Sequence, residues 1–142
     1  MVSLTHITQL EAPPSIVWKL LTDTTAWPRY APVRSVIVER PGYENHNGVG
    51  QIRAIRTWAG IVREEVTAFE VERRLGYTLL SGAPVRDYRG VITLEPAGDQ
   101  TRYQWEVQFE ASLFLAPVLA LVARRTMRST MRGFAQELRS NE

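Results

Sequence analysis

Cysteine is absent from the 142 residues, which excludes disulfide frameworks, thiolate nucleophiles and cysteine-based zinc sites. Histidine is nearly absent. His6 and His46 stand far apart, so the two-histidine-plus-carboxylate arrangement of non-haem iron has no basis, and neither a metal nor any other cofactor is expected. The longest apolar stretch, 113–123, is 11 residues and is interrupted by Pro117. A membrane-spanning helix needs roughly 20, so no transmembrane segment is expected. The first ten residues alternate polar and apolar, without the basic flank and apolar run of a secretory signal, and the expected location is cytoplasmic. Lysine is represented by Lys19 alone against 16 arginines, a skew ascribed to GC-rich codon usage before anion recognition. The net charge is +2, too close to balance to argue for a nucleic-acid partner.

What is present is enough apolar material for one core: hydrophobic residues are 44% of the chain, charged residues 23%, and no stretch reads as an interdomain linker, so residues 1–142 are expected to form a single domain. Val2 to Leu10 predicts a strand with Val2, Leu4, His6, Thr8 and Leu10 on one face. Pro13 and Pro14 suit the first turn of a short helix that ends near Asp23, and a second short turn carries Trp27 and Tyr30 between two prolines. Six more strand-like runs follow, at about 33–40, 49–58, 61–72, 75–81, 88–95 and 101–111, joined by short turns that force antiparallel neighbours; one of these turns is placed at Ala59-Gly60. The last run alternates most clearly, with Tyr103, Trp105, Val107 and Phe109 on one face. A final helix from about 111 to 139 carries Ala116, Ala120, Ala123, Met127, Met131, Phe134 and Leu138 at helical spacing. It is the only element long enough to cover a sheet of seven strands.

The stretches Leu10-Glu11-Ala12-Pro13-Pro14, Val17-Trp18-Lys19-Leu20-Leu21, 26–32, Arg63-Glu64-Glu65-Val66 and 82–90 resemble the START-like, Bet v 1-like superfamily and, within it, the bacterial polyketide cyclase/dehydrase group. The resemblance implies an α+β helix-grip fold: a curved antiparallel sheet of about seven strands around a long C-terminal helix, two short helices after the first strand, and an apolar cavity between sheet and helix. It names no catalytic residue, because the fold serves carriers, receptors and enzymes alike.

For such a cavity the candidate ligand contacts are Trp27 and Tyr30 at the mouth, the aromatics Trp58, Tyr77, Tyr88 and Trp105, and Ala120, Ala123, Met127 and Met131 on the helix, where small and flexible side chains leave adaptable space. The polar candidates are His6, Arg56, Glu64 and Arg86. A buried Glu64 must be neutral or paired, and Arg56 or Arg86 is the type of residue that pairs it or holds a ligand carboxylate. These residues lead to a binding protein for a small hydrophobic molecule, acting as a monomer or homodimer. The alternatives are a cyclase, aromatase or dehydratase in which Glu64 or His6 moves a proton, and a module that binds a segment of a partner protein.

Overall fold

The computed structural model describes residues 1–140. Strand β1 (Val2–Leu10) is followed by helix α1 (Pro14–Thr22), a 3₁₀ segment (Thr24–Arg29), β2 (Ser35–Arg40), β3 (Ile52–Thr57), β4 (Gly60–Glu70), β5 (Arg74–Ser81), β6 (Arg86–Ala97), β7 (Gln100–Glu110) and helix α2 (Ala116–Ser140). The seven strands form one antiparallel sheet in the order β1-β7-β6-β5-β4-β3-β2. This is the helix-grip α+β architecture, and α2 lies along the concave face. Pro14 opens α1 because its missing N–H would have had no intrahelical partner at that position. The tight prolines at 28 and 32 keep the next turn from continuing as α-helix.

Curvature comes from irregular pairing. The β4–β5 register shifts twice, with Leu80 as the extra residue in β5 opposite Arg63 and Glu64 and Thr67 as the extra residue in β4 between Val66 and Ala68, and β6 is irregular between Arg86 and Arg89. Each extra residue bends its strand and increases the local twist. Asp87, inside the β6 irregularity, takes a positive φ of 50°, a conformation that a short polar side chain tolerates.

Packing divides the concave space. At one end the lower half of α2 contributes Met131, Phe134 and Leu138 to a core with Leu10, Val17, Leu21, Tyr30, Leu75 and Tyr103. Phe134 meets Tyr30 edge-on at 5.3 Å and Tyr103 edge-on at 6.2 Å, favourable geometries for ring quadrupoles. A smaller cluster of Leu4, Val107, Phe109 and Met127 holds the middle of the helix to β1 and β7. The N-terminal part of α2, by contrast, contributes no buried residue before Met127.

Helix α2 starts at Ala116, about a turn later than the expected 111. Ala111 to Leu115 form a turn held by Ser112, whose carbonyl accepts from Ala116 N at 2.8 Å and whose Oγ accepts from Leu115 N at 3.3 Å. The third strand begins at Ile52 rather than near 49, because 48–51 close back on the loop through Gln51 N to the Gly48 carbonyl at 3.0 Å.

Gly133 is where α2 comes closest to the 3₁₀ segment: a Cβ there would lie 1.5 Å from the Tyr30 carbonyl oxygen. Backbone cannot yield as a side-chain tip does. Gly133→Ala is therefore expected to lift the helix and lower stability by about 1–3 kcal/mol despite alanine's better helix propensity, which chemical denaturation of the two proteins measures.

Candidate functional site

Between the sheet and the upper half of α2 lies a cavity of about 620 Å³. That is within the size range of small-molecule sites. Its walls come from every inner strand. Arg53, Ile55 and Thr57 of β3 and Val62 and Glu64 of β4 form one side, Tyr77, Tyr88, Ile92, Tyr103, Trp105 and Val107 the floor, and Leu119, Val122, Ala123 and Met127 the helix wall. Trp27 closes one flank, and Trp58 stands at the open end with Ala83 and Pro84.

The polar centre is an ion pair. Arg53 donates from Nε and Nη2 to Glu64 Oε1 at 3.2 and 3.1 Å, and the arginine side chain is only 3% exposed. Strand register makes the pair: Arg53 sits directly opposite Glu64 in the β3–β4 ladder, so both side chains leave the same face. The guanidinium carbon lies 5.0 Å from the Trp27 ring centroid and 5.8 Å from that of Tyr77, so two aromatic rings flank it as cation–π partners. Burial pushes the Glu64 carboxyl above its ordinary range, and the Arg53 charge and hydrogen bonds pull it back.

Tyrosines complete the floor. Trp105 Nε1 donates to the Tyr77 hydroxyl at 3.0 Å, and Tyr88 stacks on Phe109 at 5.7 Å with its ring 6.1 Å from that of Tyr77. Burial raises the hydroxyl pKa of Tyr77, Tyr88 and Tyr103 well above the usual phenol range, with the Tyr88 hydroxyl and the Glu64 charge adding to the effect at Tyr77, and so all three are neutral hydrogen-bonding groups near neutral pH. Gly90 makes room for this arrangement. A Cβ at Gly90 would lie 2.2 Å from the Tyr77 ring, its cross-strand neighbour.

Of the sequence candidates, Trp27, Trp58, Tyr77, Tyr88, Trp105, Ala123, Met127 and Glu64 border this cavity. Tyr30 does not: it is buried against Phe134 and donates its hydroxyl to the Leu20 carbonyl at 2.8 Å. Met131 belongs to the closed end of the core, and Ala120 is rotated off the wall, where Leu119 takes its place. His6 lies on the inner face of β1 opposite Trp105 but outside the cavity; burial, and then the nearby Arg128 charge, lower its pKa. Arg86 is exposed at the start of β6.

Arg56 is a correction of strand face. Arg56 was expected among the polar residues of the cavity, but it is exposed and the buried face of β3 carries Arg53 and Ile55. Thr57 pairs with Gly60, so the hairpin turns at Trp58-Ala59 rather than Ala59-Gly60, and this sets Arg53 rather than Ile55 opposite Glu64. The face itself follows from the partner strand: across a two-residue turn the residues opposite Val62 and Glu64 are odd-numbered, so Ile55 and Arg53 point inward with them, and Arg56, opposite Ile61, points out. The signal that finds Arg53 is the resulting opposition of Arg53 to Glu64, an arginine facing a carboxylate across a two-residue hairpin.

Among the described residues no group of three or more histidine, aspartate or glutamate side chains is placed to hold a metal ion. Residues 1–141 match the family described as polyketide cyclase/dehydrase and lipid transport, and the chain belongs to that family. Solved structures agree on the fold. A START superfamily protein from Mycobacterium smegmatis superposes with a TM-score of 0.86 at 13% identity, covering 99% of both chains. The ZhuI aromatase/cyclase from Streptomyces sp. R1128 superposes at 0.82 with 16% identity over 97% of this chain and 93% of that one. A norcoclaurine synthase from Thalictrum flavum gives 0.76 at 13% identity over 99% and 95%. No curated protein matches by sequence.

Removing the cation tests the balance at Glu64. In Arg53→Met, burial acts on Glu64 unopposed, so its folded-state pKa rises further above the unfolded value. The folded state then binds the extra proton, and stability falls as pH rises from the ordinary carboxylate range through the new folded pKa. The expected result is a variant near wild type at pH 5 and roughly 3 kcal/mol weaker at pH 8, read from denaturant midpoints at the two pH values. A pH-independent difference would place Glu64 in solvent.

Proposed function

We propose that the protein binds a small, largely hydrophobic ligand of lipid, polyketide or aromatic type in the cavity between the sheet and α2, with the polar end of the ligand at Arg53 and Glu64. The observation that carries this reading is the wall composition around that one ion pair. Aliphatic and aromatic side chains supply an apolar, partly planar surface, and both Arg53 hydrogen bonds end on the same carboxylate oxygen, Oε1. Glu64 Oε2 is left to accept from a ligand hydroxyl, and the unused Nη1 of Arg53 to donate to a carbonyl or carboxylate. The Tyr77 and Tyr88 hydroxyls supply further orientation. Family membership supports the same class of ligand.

The ion pair also favours a second reading, cyclase, aromatase or dehydratase chemistry on a polyketide-like substrate. Arg53 would stabilise negative charge growing on a ketone oxygen, and Glu64, its pKa raised by burial, would take the proton from the adjacent carbon. A poly-β-ketone thioester separates the two readings. Loss of water detected by mass spectrometry with the wild type and abolished in Glu64→Gln marks the enzyme, whereas retention of unchanged ligand by both marks the carrier. Native mass spectrometry of protein purified from its own host weighs any ligand already held.

The binding reading itself is checked by filling the cavity. Ala123→Trp projects an indole from the helix wall into the space, whereas Ala120→Trp, one turn earlier and off the wall, leaves it open. Titration with N-phenyl-1-naphthylamine is expected to show at least tenfold weaker uptake by Ala123→Trp and near-normal uptake by Ala120→Trp. Equal affinity of all three proteins would remove the cavity from the binding site.

A further inference from the structure

The upper end of α2 has an exposure pattern that ligand binding does not explain. Leu113 and Phe114 are 92% and 94% exposed, on an ordered turn fastened by Ser112. Across the cavity mouth, Trp58 at the β3–β4 turn is 73% exposed. Single exposed apolar side chains are ordinary, but Trp58, which borders the cavity, and Leu113 and Phe114 follow strands β3 and β7 that finish at the same end of the antiparallel sheet, and exposed apolar residues run on along the helix through Val118 and Leu121.

Further along, the same side of α2 changes character. Val118, Leu121, Arg125, Arg128 and Arg132 fall within one exposed sector at 100° per residue, away from the buried Met127, Met131 and Phe134, with Arg125 also bordering the cavity mouth. Polarity therefore changes along the axis as well as around it. From Val118 to Arg125 the rise is about 10 Å, comparable with the roughly 5–10 Å by which amphipathic segments enter the boundary between headgroups and acyl chains. Along the chain, no acidic residue occurs between Glu44 and Glu64 or between Glu110 and Glu137, the two stretches that hold the Trp58 turn and the upper helix.

We propose that this end of the molecule docks on an anionic phospholipid bilayer, with Leu113, Phe114 and Trp58 at the acyl boundary and Arg125, Arg128 and Arg132 at the headgroup phosphates. Apolar area supplies part of the attraction and arginine–phosphate pairing the rest. Tryptophan suits the boundary because its ring is apolar and its N–H polar. A second copy fits this strip less well, because a two-fold pairing centred on it sets like-charged arginines against each other. No described helix is long and apolar enough to cross a membrane, so the contact is peripheral. Docked in this way, the cavity opens toward the bilayer. The docking goes beyond ligand binding and is measured without any ligand.

The test is flotation of the full chain with vesicles of phosphatidylcholine alone and of phosphatidylcholine containing phosphatidylglycerol, at low and raised salt. The expected result is binding to the anionic vesicles that weakens with salt and falls at least tenfold in Leu113→Glu/Phe114→Glu and in Arg125→Glu/Arg128→Glu. Val71→Glu, an exposed apolar position in the β4–β5 turn, serves as the control and should leave binding unchanged. Melting of each variant shows that it is folded, and the two pairs of substitutions act on independent parts of the surface. No flotation of the wild type, flotation indifferent to both pairs, or a concentration-dependent dimer that dissociates in the same variants without vesicle binding would each overturn the proposal.

Discussion

The contact between α2 and the backbone at Tyr30 fixes the distance from which the rest of the concave space is measured. With no side chain at Gly133, the helix sits against the Tyr30 carbonyl, and Phe134 in the next position reaches between Tyr30 and Tyr103. A helix seated there is firmly packed through its lower half. The curved sheet then falls away from its upper half, where Leu119, Val122 and Ala123 face empty volume instead of opposing side chains. Cavity and core are two consequences of one seating. The bulges in β4 and β6 matter for the same reason, since a flatter sheet would follow the helix and close the space.

A buried ion pair is a poor choice for stability alone. Desolvating a guanidinium and a carboxylate costs several kcal/mol per ion, and an apolar pair of similar volume is often as stable or more so. Arg53 recovers part of that cost from two hydrogen bonds to Glu64 and from the rings of Trp27 and Tyr77. The pair still lines a cavity that is otherwise mostly apolar, and among the described residues it is the one ion pair in that wall. Such an arrangement concentrates polarity at one point. It gives a ligand entering a mostly apolar space a charged place to put its polar group.

Much of the architecture could be read from residue order, because strong periodicities mark it. The alternation of Tyr103, Trp105, Val107 and Phe109 and the stripe of Met127, Met131, Phe134 and Leu138 both survive errors of a residue or two at element ends. The candidate site depends on finer information. In β3 both faces offer apolar side chains, Ile52 and Ala54 on one and Ile55 on the other, so hydrophobic pattern does not choose between them. The partner strand chooses, because a two-residue turn sets odd-numbered β3 residues beside Val62 and Glu64. Trp58-Ala59 carries no asparagine, glycine or proline to announce the turn, and Gly60, with φ at 128°, drew the expected turn one position too far, a register that sets Ile55 rather than Arg53 opposite Glu64. Tyr30 and Ala120 were misplaced for a different reason: both sit on inward surfaces, and sequence spacing does not show where along an inward surface the packing ends and the cavity begins.

The two halves of α2 answer to different demands. Below Met127 its inner residues are buried almost completely, and this half with α1 and the 3₁₀ segment contributes hydrophobic burial that does not depend on what fills the cavity. Above Met127 the inner residues are small or only partly buried and the outer ones are exposed, apolar from Leu113 to Leu121 and then Arg124 and Arg125, so this half adds little to folding free energy while presenting surface to both the cavity and the surroundings. A helix selected only as a lid would carry polar residues on its outer face, as the lower half does with Arg128, Arg132 and Gln136. The change from arginine to leucine and phenylalanine at the same end as the cavity opening ties the outer surface to the inner one. A ligand with low solubility in water has an apolar path there, from Trp58 at the rim past Leu119 and Val122 to Trp105 and Tyr88 at the floor, ending at the charges of Arg53 and Glu64.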